Sequence, residues 1–220
     1  VFIPKPNGKK RPLGIPTIND RAMQCLVKYA LEPVYESYAS DGSYGFRPGH
    51  STWDVQNRLF QNLKSNSNGH EKTILELDIK GCFDNVNHEK LLSLMTLPGT
   101  AMKFLRSALE AGVLKERETT LVGTPQGGVL SPLLCNIALH GVEDLNNTRI
   151  KGQTYQRGIR YADDMVFIVM PNESGITLLD KVKAFLNTRG LEAEETKTRI
   201  LSPLEGFNFL GWHFQVKAKN

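Results

Sequence analysis

Three aspartates are the residues in this sequence best suited to chemistry, and they lie in two separate parts of the chain. Asp163 and Asp164 are adjacent and separate two strand-like runs, RYA and MVFIV, in a pattern that predicts a β-hairpin with both carboxylates at its turn. Asp78 ends the run Thr73–Asp78 (TILELD), which is apolar enough to predict a substantially buried strand. An aspartate at the end of such a strand is out of place in a core, which makes it a candidate site residue.

The chemistry that suits these carboxylates is the binding of divalent cations. Each of two adjacent aspartates makes ionisation of the other less favourable, and a divalent cation removes that penalty. Mg²⁺ prefers oxygen ligands and typically uses one or two carboxylates together with substrate phosphates. If Asp78 completes a cluster with Asp163 and Asp164, the three could hold two ions about 4 Å apart, an arrangement that performs in-line phosphoryl transfer, as in nucleotide polymerisation. The alternatives are a solvated acidic turn for the pair and a helix or turn cap for Asp78.

Strands separated by helices, with hairpins between them, make up the rest of the predicted structure. Residues 1–15 predict a basic hairpin around Asn7-Gly8, Leu114–Val122 predicts an exposed ribbon, and Gly206–Val216 predicts a final β element. Apolar periodicity and capping residues predict helices after Asn19 or Asp20, after Ser51 or Thr52, from Ser131, and over His88–Met95, Ala101–Gly112 and Thr177–Thr188. This order predicts an α+β fold around an antiparallel sheet.

The composition is that of an ordinary globular protein. Of 220 residues, 40% are hydrophobic and 23% are charged, which excludes disordered, collagen-like and low-complexity classes. The chain has no run of about 18 apolar residues that could cross a membrane, and it does not open with a charged and then apolar leader. We therefore expect an intracellular protein without a membrane partner.

The positive charge is concentrated near the N-terminus. The net charge is +4; residues 1–70 hold 9 basic and 5 acidic side chains, whereas residues 71–220 hold 18 of each. This asymmetry favours a polyanionic partner near the N-terminus, and the alternative is an ordinary solvated face.

Six sequence blocks together resemble a known family. YADD at Tyr161–Asp164 is similar to the palm signature of reverse transcriptases, and DIKGCF at Asp78–Phe83 is similar to the motif that carries their first catalytic aspartate. The other four blocks follow the order typical of bacterial and organellar group II intron reverse transcriptases: Lys9–Pro16 (KKRPLGIP), Ser43–Gly49 (SYGFRPG), Gly123–Pro132 (GTPQGGVLSP) and Phe209–Trp212 (FLGW). The similarity extends from residue 1 to about residue 214.

The resemblance implies an RNA-directed DNA polymerase that uses bound metal ions. Asp78, Asp163 and Asp164 match the Mg²⁺-binding triad of the family, and the carbonyl of Ile79 matches a further ligand. Two Mg²⁺ ions are implied, with Mn²⁺ as an alternative. The enzyme would add deoxynucleotides to a primer 3′ end and would serve intron mobility and splicing within a longer protein.

The resemblance also implies which residues bind the nucleotide. Phe83 matches the bulky aromatic under the sugar, where a 2′-hydroxyl would collide with the ring, and Gln126 matches a contact to the sugar and base. Lys5 and Arg11 match cations that hold the triphosphate, and Lys197 matches the lysine that protonates departing pyrophosphate. The alternatives are a core phenylalanine, a polar loop residue and ordinary surface charges.

Contacts to primer and template are implied at two further places. Ala162 is small where the family lays the primer 3′ end close to the hairpin, and Tyr161 packs beside it. The FLGW block resembles the hairpin that grips the primer, and it comprises Phe209, Leu210, Gly211 and Trp212. Ordinary apolar strands are the alternative for both places.

The resemblance implies a right-hand polymerase with fingers over residues 1–70 and a palm over residues 71–220, in which an antiparallel sheet is flanked by helices. Part of the middle helices could belong to the fingers instead of the palm. A thumb and a maturase domain are expected outside this chain. The implied partners are an intron RNA template, a DNA or RNA primer and a deoxynucleotide, in bacterial cytoplasm or an organelle, and a homodimer through the fingers is a further alternative.

Three other functions remain open from the sequence. The first is an RNA-binding splicing module without polymerase activity, although all three aspartates are present. The second is a reverse transcriptase recruited to a defence or spacer-acquisition system. The third is an RNA-synthesising palm polymerase, against which Phe83 argues.

Overall fold

The computed structural model describes residues 2–4, 10–12, 14–111, 121–124 and 127–217, which form two compact units. Unit 1 comprises Val1–Tyr38, Gly81–Leu139 and Thr188–Leu191, and unit 2 comprises Ala39–Lys80, His140–Asn187 and Glu192–Asn220. Each unit is therefore assembled from segments that are far apart in the sequence. No helix in the described ranges is long and apolar enough to span a membrane.

The described part of the chain contains seven α-helices and ten strands. The helices are α1 (Ile18–Glu36), α2 (Thr52–Leu63), α3 (Cys82–Asn85), α4 (His88–Ser93), α5 (Gly99–Glu110), α6 (Ser131–Leu139) and α7 (Gly175–Thr188). The strands are β1 (Phe2–Pro4), β2 (Lys10–Pro12), β3 (Thr73–Leu77), β4 (Thr148–Ile150), β5 (Gln153–Tyr155), β6 (Gly158–Tyr161), β7 (Asp164–Val169), β8 (Arg199–Leu201), β9 (Phe207–Phe209) and β10 (Trp212–Phe214). The pairing of β1 with β2 is antiparallel, as the sequence predicts.

A four-stranded antiparallel sheet forms the centre of unit 2. Its strand order is β6-β7-β3-β8, so the chain does not visit the strands in sequence order. In β3, Ile74 points to one face while Leu75 and Leu77 point to the other, and all three are buried. Because side chains on both faces of β3 are buried, its sequence, TILEL, is almost continuously apolar.

One face of this sheet packs against α2 and the β9–β10 hairpin. The buried side chains of that cluster come from every part of unit 2: Tyr44, Val55, Leu59, Leu63, Ile74, Ile159, Val166, Ile168, Phe207 and Phe209. The valine and leucines from α2 lie four residues apart, so one side of that helix faces the sheet. The packing fixes the sheet that carries the three aspartates.

Capping residues explain where the first two helices begin. The α1 helix starts at Ile18, because the Thr17 hydroxyl oxygen accepts a hydrogen bond from the Asp20 backbone N–H. The sequence prediction of a cap at Asn19 or Asp20 is therefore wrong by two or three residues. The predicted start of α2 is confirmed, since Ser51 precedes it and donates from both its N–H and its hydroxyl to the Asp54 carboxylate.

Candidate active site

The register of the central sheet brings two of the three aspartates to the same end. Strands β3 and β7 are antiparallel with Leu77 opposite Met165, so the residues next to this pair, Asp78 and Asp164, lie side by side. Tyr161 pairs with Asp164 across the β6–β7 hairpin, which leaves Ala162 and Asp163 as its turn. The predicted hairpin is therefore present, with Asp163 in its turn and Asp164 as the first residue of β7.

A cleft of about 260 Å³ opens at this end of the sheet, and we call it the aspartate cleft. Its lining residues come from β3 and the residue after it, from β7 and β9, and from β8 and the segment that leads into it: Glu76, Leu77, Asp78, Asp164, Met165, Thr196, Lys197, Arg199 and Phe209. The Lys197 ammonium donates to Asp78 Oδ2 at 2.5 Å. Two of the predicted metal ligands and the predicted pyrophosphate lysine thus line one concavity.

Burial and the nearness of other carboxylates both affect the charge of Asp164 in the cleft. Protein atoms packed around the Asp164 carboxyl raise its pKa from 3.8 to about 6, and the negative charges of Asp163 and Asp78 contribute to the shift. The hydrogen bond to Asp78 raises the pKa of Lys197. The described side chains that line the cleft include the carboxyl groups of Glu76, Asp78 and Asp164 and only two cations, those of Lys197 and Arg199.

These residues fit a magnesium site in donor type and charge, although they do not form a preassembled one. Among the side chains that the structure describes, no three from His, Cys, Asp and Glu are grouped to hold a metal ion. Lys197 occupies one oxygen of Asp78. Carboxylate oxygens are the donors that Mg²⁺ prefers, and a cation would offset both the desolvation and the repulsion that raise the pKa of Asp164. The three-carboxylate cluster stays a prediction.

Ile79 continues the chain directly after Asp78 and is buried. It forms an isolated antiparallel bridge with Ala193. The two backbone hydrogen bonds around this bridge run from the Lys80 N–H to the Glu192 carbonyl and from the Glu194 N–H to the Asp78 carbonyl. They therefore do not use the Ile79 carbonyl, which is the predicted ligand.

Backbone contacts from Gly42 and from the SYGFRPG segment that follows it support the aspartate hairpin. The Arg160 N–H donates to the Gly42 carbonyl at 2.7 Å, and the Tyr44 N–H donates to the Arg160 carbonyl at 2.9 Å. A Cβ on Gly45 would lie 2.3 Å from the Ala162 backbone nitrogen, so only glycine allows this approach. Sequence reasoning assigned no role to Arg160, whose charged side chain inside an apolar strand run is the one available signal.

We expect Gly45→Ala to destabilise unit 2 and displace the hairpin. The added methyl would also lie 2.9 Å from the Tyr161 carbonyl carbon, and because both neighbours are backbone atoms, neither can rotate away. The expected loss in the free energy of unfolding is about 1–3 kcal/mol, measured by chemical denaturation. Gly99→Ala is the control, because nothing lies within 4 Å of its Cβ. Equal stability of the two variants would contradict the prediction.

The FLGW block forms the turn of a short hairpin. Phe209 and Trp212 pair across it, and both turn residues have positive φ, 50° at Leu210 and 82° at Gly211, as a tight two-residue hairpin requires. Phe209 is buried and lines the aspartate cleft. Trp212 packs edge-on against Trp53 with ring centroids 4.7 Å apart.

Tyr161 and Ala162 lie at the other hairpin. The Tyr161 ring is tilted against Phe46 with centroids 6.4 Å apart. Ala162 is buried and has a φ of 57°, a conformation that small residues adopt more readily than bulky ones. Ala162 directly precedes Asp163 in the chain, and Tyr161 precedes Ala162.

The predicted nucleotide-binding residues are only partly described. Lys5 and Gln126 lie outside the described residues, as does most of the predicted ribbon, and for Arg11 only the backbone, in β2, is described. Phe83 is half-buried in α3 of unit 1, and its carbonyl accepts from the Thr124 N–H at 2.6 Å. The structure thus brings together Asp78, Asp164, Lys197 and Phe209.

Solved structures of telomerases share this fold. Telomerase from Candida tropicalis truncated from its C-terminal domain matches with a TM-score of 0.64 at 17% sequence identity, over 98% of this chain and 52% of that one. Candida tropicalis telomerase in complex with a TWJ fragment of telomeric RNA matches with a TM-score of 0.65 at 16% identity, over 96% and 42%. The likeness shows the fold alone, and it confirms the predicted α+β fingers–palm polymerase class.

Sequence comparison then gives the family. Residues 3–214 match the family described as "Reverse transcriptase (RNA-dependent DNA polymerase)", and the chain belongs to it. Maturase-like protein 1 of Euglena gracilis is 31% identical over 208 residues, which cover 93% of this chain and 42% of the relative. Group II intron-encoded protein LtrA of Lactococcus lactis subsp. cremoris is 42% identical over 149 residues, which cover 65% of this chain and 24% of the relative.

The resemblance to group II intron reverse transcriptases is thereby confirmed at the level of family. The chain spans about two fifths of the Euglena relative and about one quarter of the Lactococcus relative. Both matches include the reverse transcriptase region of those proteins.

Proposed function

We propose that the chain is the polymerase part of an RNA-directed DNA polymerase of group II intron type. It would extend a primer 3′ end with deoxynucleotides on an RNA template, and it would serve intron mobility and splicing within a longer protein. The observation that carries this proposal is the pairing of β3 with β7, which sets Asp78 beside Asp164 in one cleft of a reverse transcriptase-family chain.

Asp78, Asp163 and Asp164 are proposed to hold two Mg²⁺ ions, which Mn²⁺ could replace, with the Ile79 carbonyl as a further ligand. Bound magnesium would supply activation of the 3′-hydroxyl and stabilisation of the leaving oxygen. Lys197 already donates to Asp78 in the aspartate cleft. As a protonated amine at that place, it is the proposed proton donor to departing pyrophosphate.

The remaining site residues are proposed by resemblance. Phe83 and Gln126 would contact the nucleotide sugar and base, and Lys5 and Arg11 would contact its phosphates. The proposed contacts to the primer are the buried Ala162, its neighbour Tyr161 and the FLGW hairpin. Phe209 supports the last assignment, because it lines the same cleft as the aspartates.

Fingers over residues 1–70 and a palm over residues 71–220 remain the proposed domains. Unit 1 groups Gly81–Leu139 with Val1–Tyr38, which supports the assignment of part of the middle helices to the fingers, whereas Ala39–Lys80 groups with the central sheet in unit 2. The proposed partners are an intron RNA template, attracted by the basic N-terminal third, a DNA or RNA primer and a deoxynucleotide. Pairing of two copies through the fingers is retained as a proposal.

Primer extension tests the function directly. The full protein containing this chain is incubated with an annealed primer, deoxynucleotides and Mg²⁺ on RNA and on DNA templates of the same sequence. We expect extension on the RNA template, and we expect chelation of the divalent ions to abolish it and renewed Mg²⁺ to restore it. Absence of extension on both templates would refute the proposal.

The same experiment, with a measurement of RNA binding, distinguishes the proposed polymerase from an RNA-binding splicing module. An RNA-binding splicing module would retain affinity for structured intron RNA while it extends no primer. The name maturase-like protein 1, which one relative carries, is the reason to include that binding measurement. A reverse transcriptase of a defence or spacer-acquisition system would extend primers equally well and would differ in its partners.

Phe83→Val is expected to relax selection against ribonucleotides. If the ring lies under the sugar, its loss makes room for a 2′-hydroxyl, and the ratio of ribonucleotide to deoxynucleotide incorporation should rise about 10- to 100-fold. Single-nucleotide primer extension measures this ratio. Phe185→Val, the same change on α7, is the control and should leave the ratio unchanged. Incorporation still confined to deoxynucleotides in Phe83→Val would count against this role.

A further inference from the structure

The strand that leads into the aspartate hairpin contains a completely buried arginine. The Arg160 side chain is 0% exposed, and so is that of Glu143, with which it forms an ion pair. The guanidinium donates from Nε to Glu143 Oε2 at 3.2 Å and from Nη2 to Glu143 Oε1 at 3.3 Å. Nη2 also donates to the Ser43 hydroxyl oxygen at 2.8 Å. We call these three residues the Arg160 cluster.

The same guanidinium holds the turn of the hairpin. Arg160 Nη1 donates to the Ala162 carbonyl oxygen at 3.1 Å. That oxygen belongs to the peptide unit that joins Ala162 to Asp163, so the hydrogen bond fixes the plane from which Asp163 projects. Ala162 has a φ of 57°, a region that a residue with a Cβ occupies only when its surroundings hold it there.

Glu143 is itself fixed in place by backbone contacts. Gln156 Nε2 donates to the Glu143 carbonyl at 2.9 Å. A Cβ on Gly158 would lie 2.1 Å from that carbonyl oxygen, so β6 approaches the Glu143 backbone as closely as glycine permits. The carboxylate that balances Arg160 is therefore part of the rigid support of the sheet.

Stability alone does not account for an ion pair at this depth. Removing two charges from water is unfavourable, and well-packed apolar residues of similar volume often stabilise a protein as well or better. What apolar residues cannot provide is a directional hydrogen bond to the Ala162 carbonyl. The hydrogen bond to the hairpin turn is therefore the feature that the buried ion pair makes possible.

We propose that Arg160 is a positioning residue, which orients the Asp163 carboxylate for metal binding through its hydrogen bond to the Ala162 carbonyl, with Glu143 as its buried counter-charge. This inference rests on the proposed function of the aspartate hairpin. Arg160 touches neither substrate nor metal and acts only through the peptide unit between Ala162 and Asp163.

The decisive variant replaces both charges at once. The Arg160→Met/Glu143→Met protein has no unpaired buried charge and should fold, but it lacks the donor to Ala162. We expect its dissociation constant for Mn²⁺, measured without substrate by electron paramagnetic resonance of the free ion, to rise about 10- to 100-fold. Amide hydrogen exchange over Tyr161–Met165 should accelerate, and primer extension should need correspondingly more Mg²⁺.

A matched control lies three residues earlier in the chain. Arg157 donates to both oxygens of Glu173, at 2.7 and 2.8 Å, yet this pair has no hydrogen bond to the hairpin turn among the contacts described. Arg157→Met/Glu173→Met should therefore bind Mn²⁺ like the wild type. An equal loss of Mn²⁺ affinity in this control would overturn the inference, because any lost ion pair would then have the same effect.

A second variant guards against failure to fold. Arg160→Lys keeps the positive charge beside Glu143, but one ammonium cannot reproduce the planar fork that reaches four acceptor atoms on three residues. We expect weaker Mn²⁺ binding here as well. If the double variant or Arg160→Lys folds and keeps both the Mn²⁺ affinity and the amide hydrogen exchange rates of the wild-type hairpin, the role of Arg160 is overturned. Should the wild type extend no primer, the proposed function fails, while the Mn²⁺ and exchange comparisons still decide the role of Arg160.

Discussion

Asp164→Asn is expected to lower the rate of primer extension by on the order of 10³-fold, because the amide removes a negative ligand from the proposed metal site. The same change should stabilise the metal-free protein. Desolvation, together with the neighbouring carboxylates, raises the pKa of Asp164 to about 6, so ionising this group at neutral pH costs more free energy in the folded chain than in the unfolded chain. Asparagine carries no such penalty, and activity and stability should therefore change in opposite directions.

The sign of this effect follows from the two pKa values. The folded-state pKa of about 6 exceeds the ordinary value of 3.8, so the folded protein holds the Asp164 proton more tightly than the unfolded chain does. The free energy of unfolding of the wild type, measured relative to that of Asp164→Asn, should fall as the pH rises from about 4 to about 6. Above that range the difference should stay at its lower value. Thermal unfolding of both proteins at several pH values, without divalent ions, measures the difference.

Asp180→Asn is the control for both measurements, because Asp180 is exposed on α7 and does not line the aspartate cleft. It should extend primers at the wild-type rate and unfold at the wild-type temperature. Primer extension by Asp164→Asn within a few-fold of the wild type would refute the metal-ligand assignment. A lower melting temperature of Asp164→Asn at pH 8 would refute the electrostatic explanation.

Arg160→Met alone is expected to lower the free energy of unfolding by about 3–5 kcal/mol, because it leaves the carboxylate of Glu143 buried without its counter-charge. The free energy of unfolding of an ordinary domain is about 5–15 kcal/mol, so this single change removes a large share of it. Chemical denaturation measures the loss. The double variant Arg160→Met/Glu143→Met should recover most of it.

The matched surface control is Lys183→Met. Lys183 donates to Glu195 at 3.1 Å, and both side chains are substantially exposed. An ion pair of this kind contributes about 0–1 kcal/mol, so its loss should be barely measurable. If Arg160→Met were as mild as Lys183→Met, the Arg160–Glu143 pair would have no special energetic role in unit 2.

The strands that carry the aspartates were predictable because each has a strong local signal. TILEL and MVFIV are apolar runs of strand length, and both are followed or preceded by aspartate, so β3, β7 and the hairpin turn are found where the sequence predicts them. Their antiparallel pairing is confirmed. The order β6-β7-β3-β8 was not predictable, because β8 has only three residues and is largely exposed.

The Arg160 cluster shows what a single sequence does not reveal. Ser43, Glu143 and Arg160 are more than a hundred residues apart at their extremes, and each alone has the character of a surface residue. Only the fold makes them neighbours, since burial of a charge depends on partners that local patterns do not specify. The contact between Lys197 and Asp78 is similar, because the resemblance suggested a role for the lysine but no partner.

The discontinuity of the two units has a consequence for synthesis on the ribosome. Strand β3 is translated early, yet its neighbours β7 and β8 emerge about 90 and 125 residues later. The central strand, apolar on both sides, therefore waits unpaired while most of the polypeptide is still being made, and such exposed strands are prone to aggregate. Recombinant production should accordingly gain from slow translation or from chaperones that shield nascent chains, and fragments that stop before Arg199 should be poorly soluble.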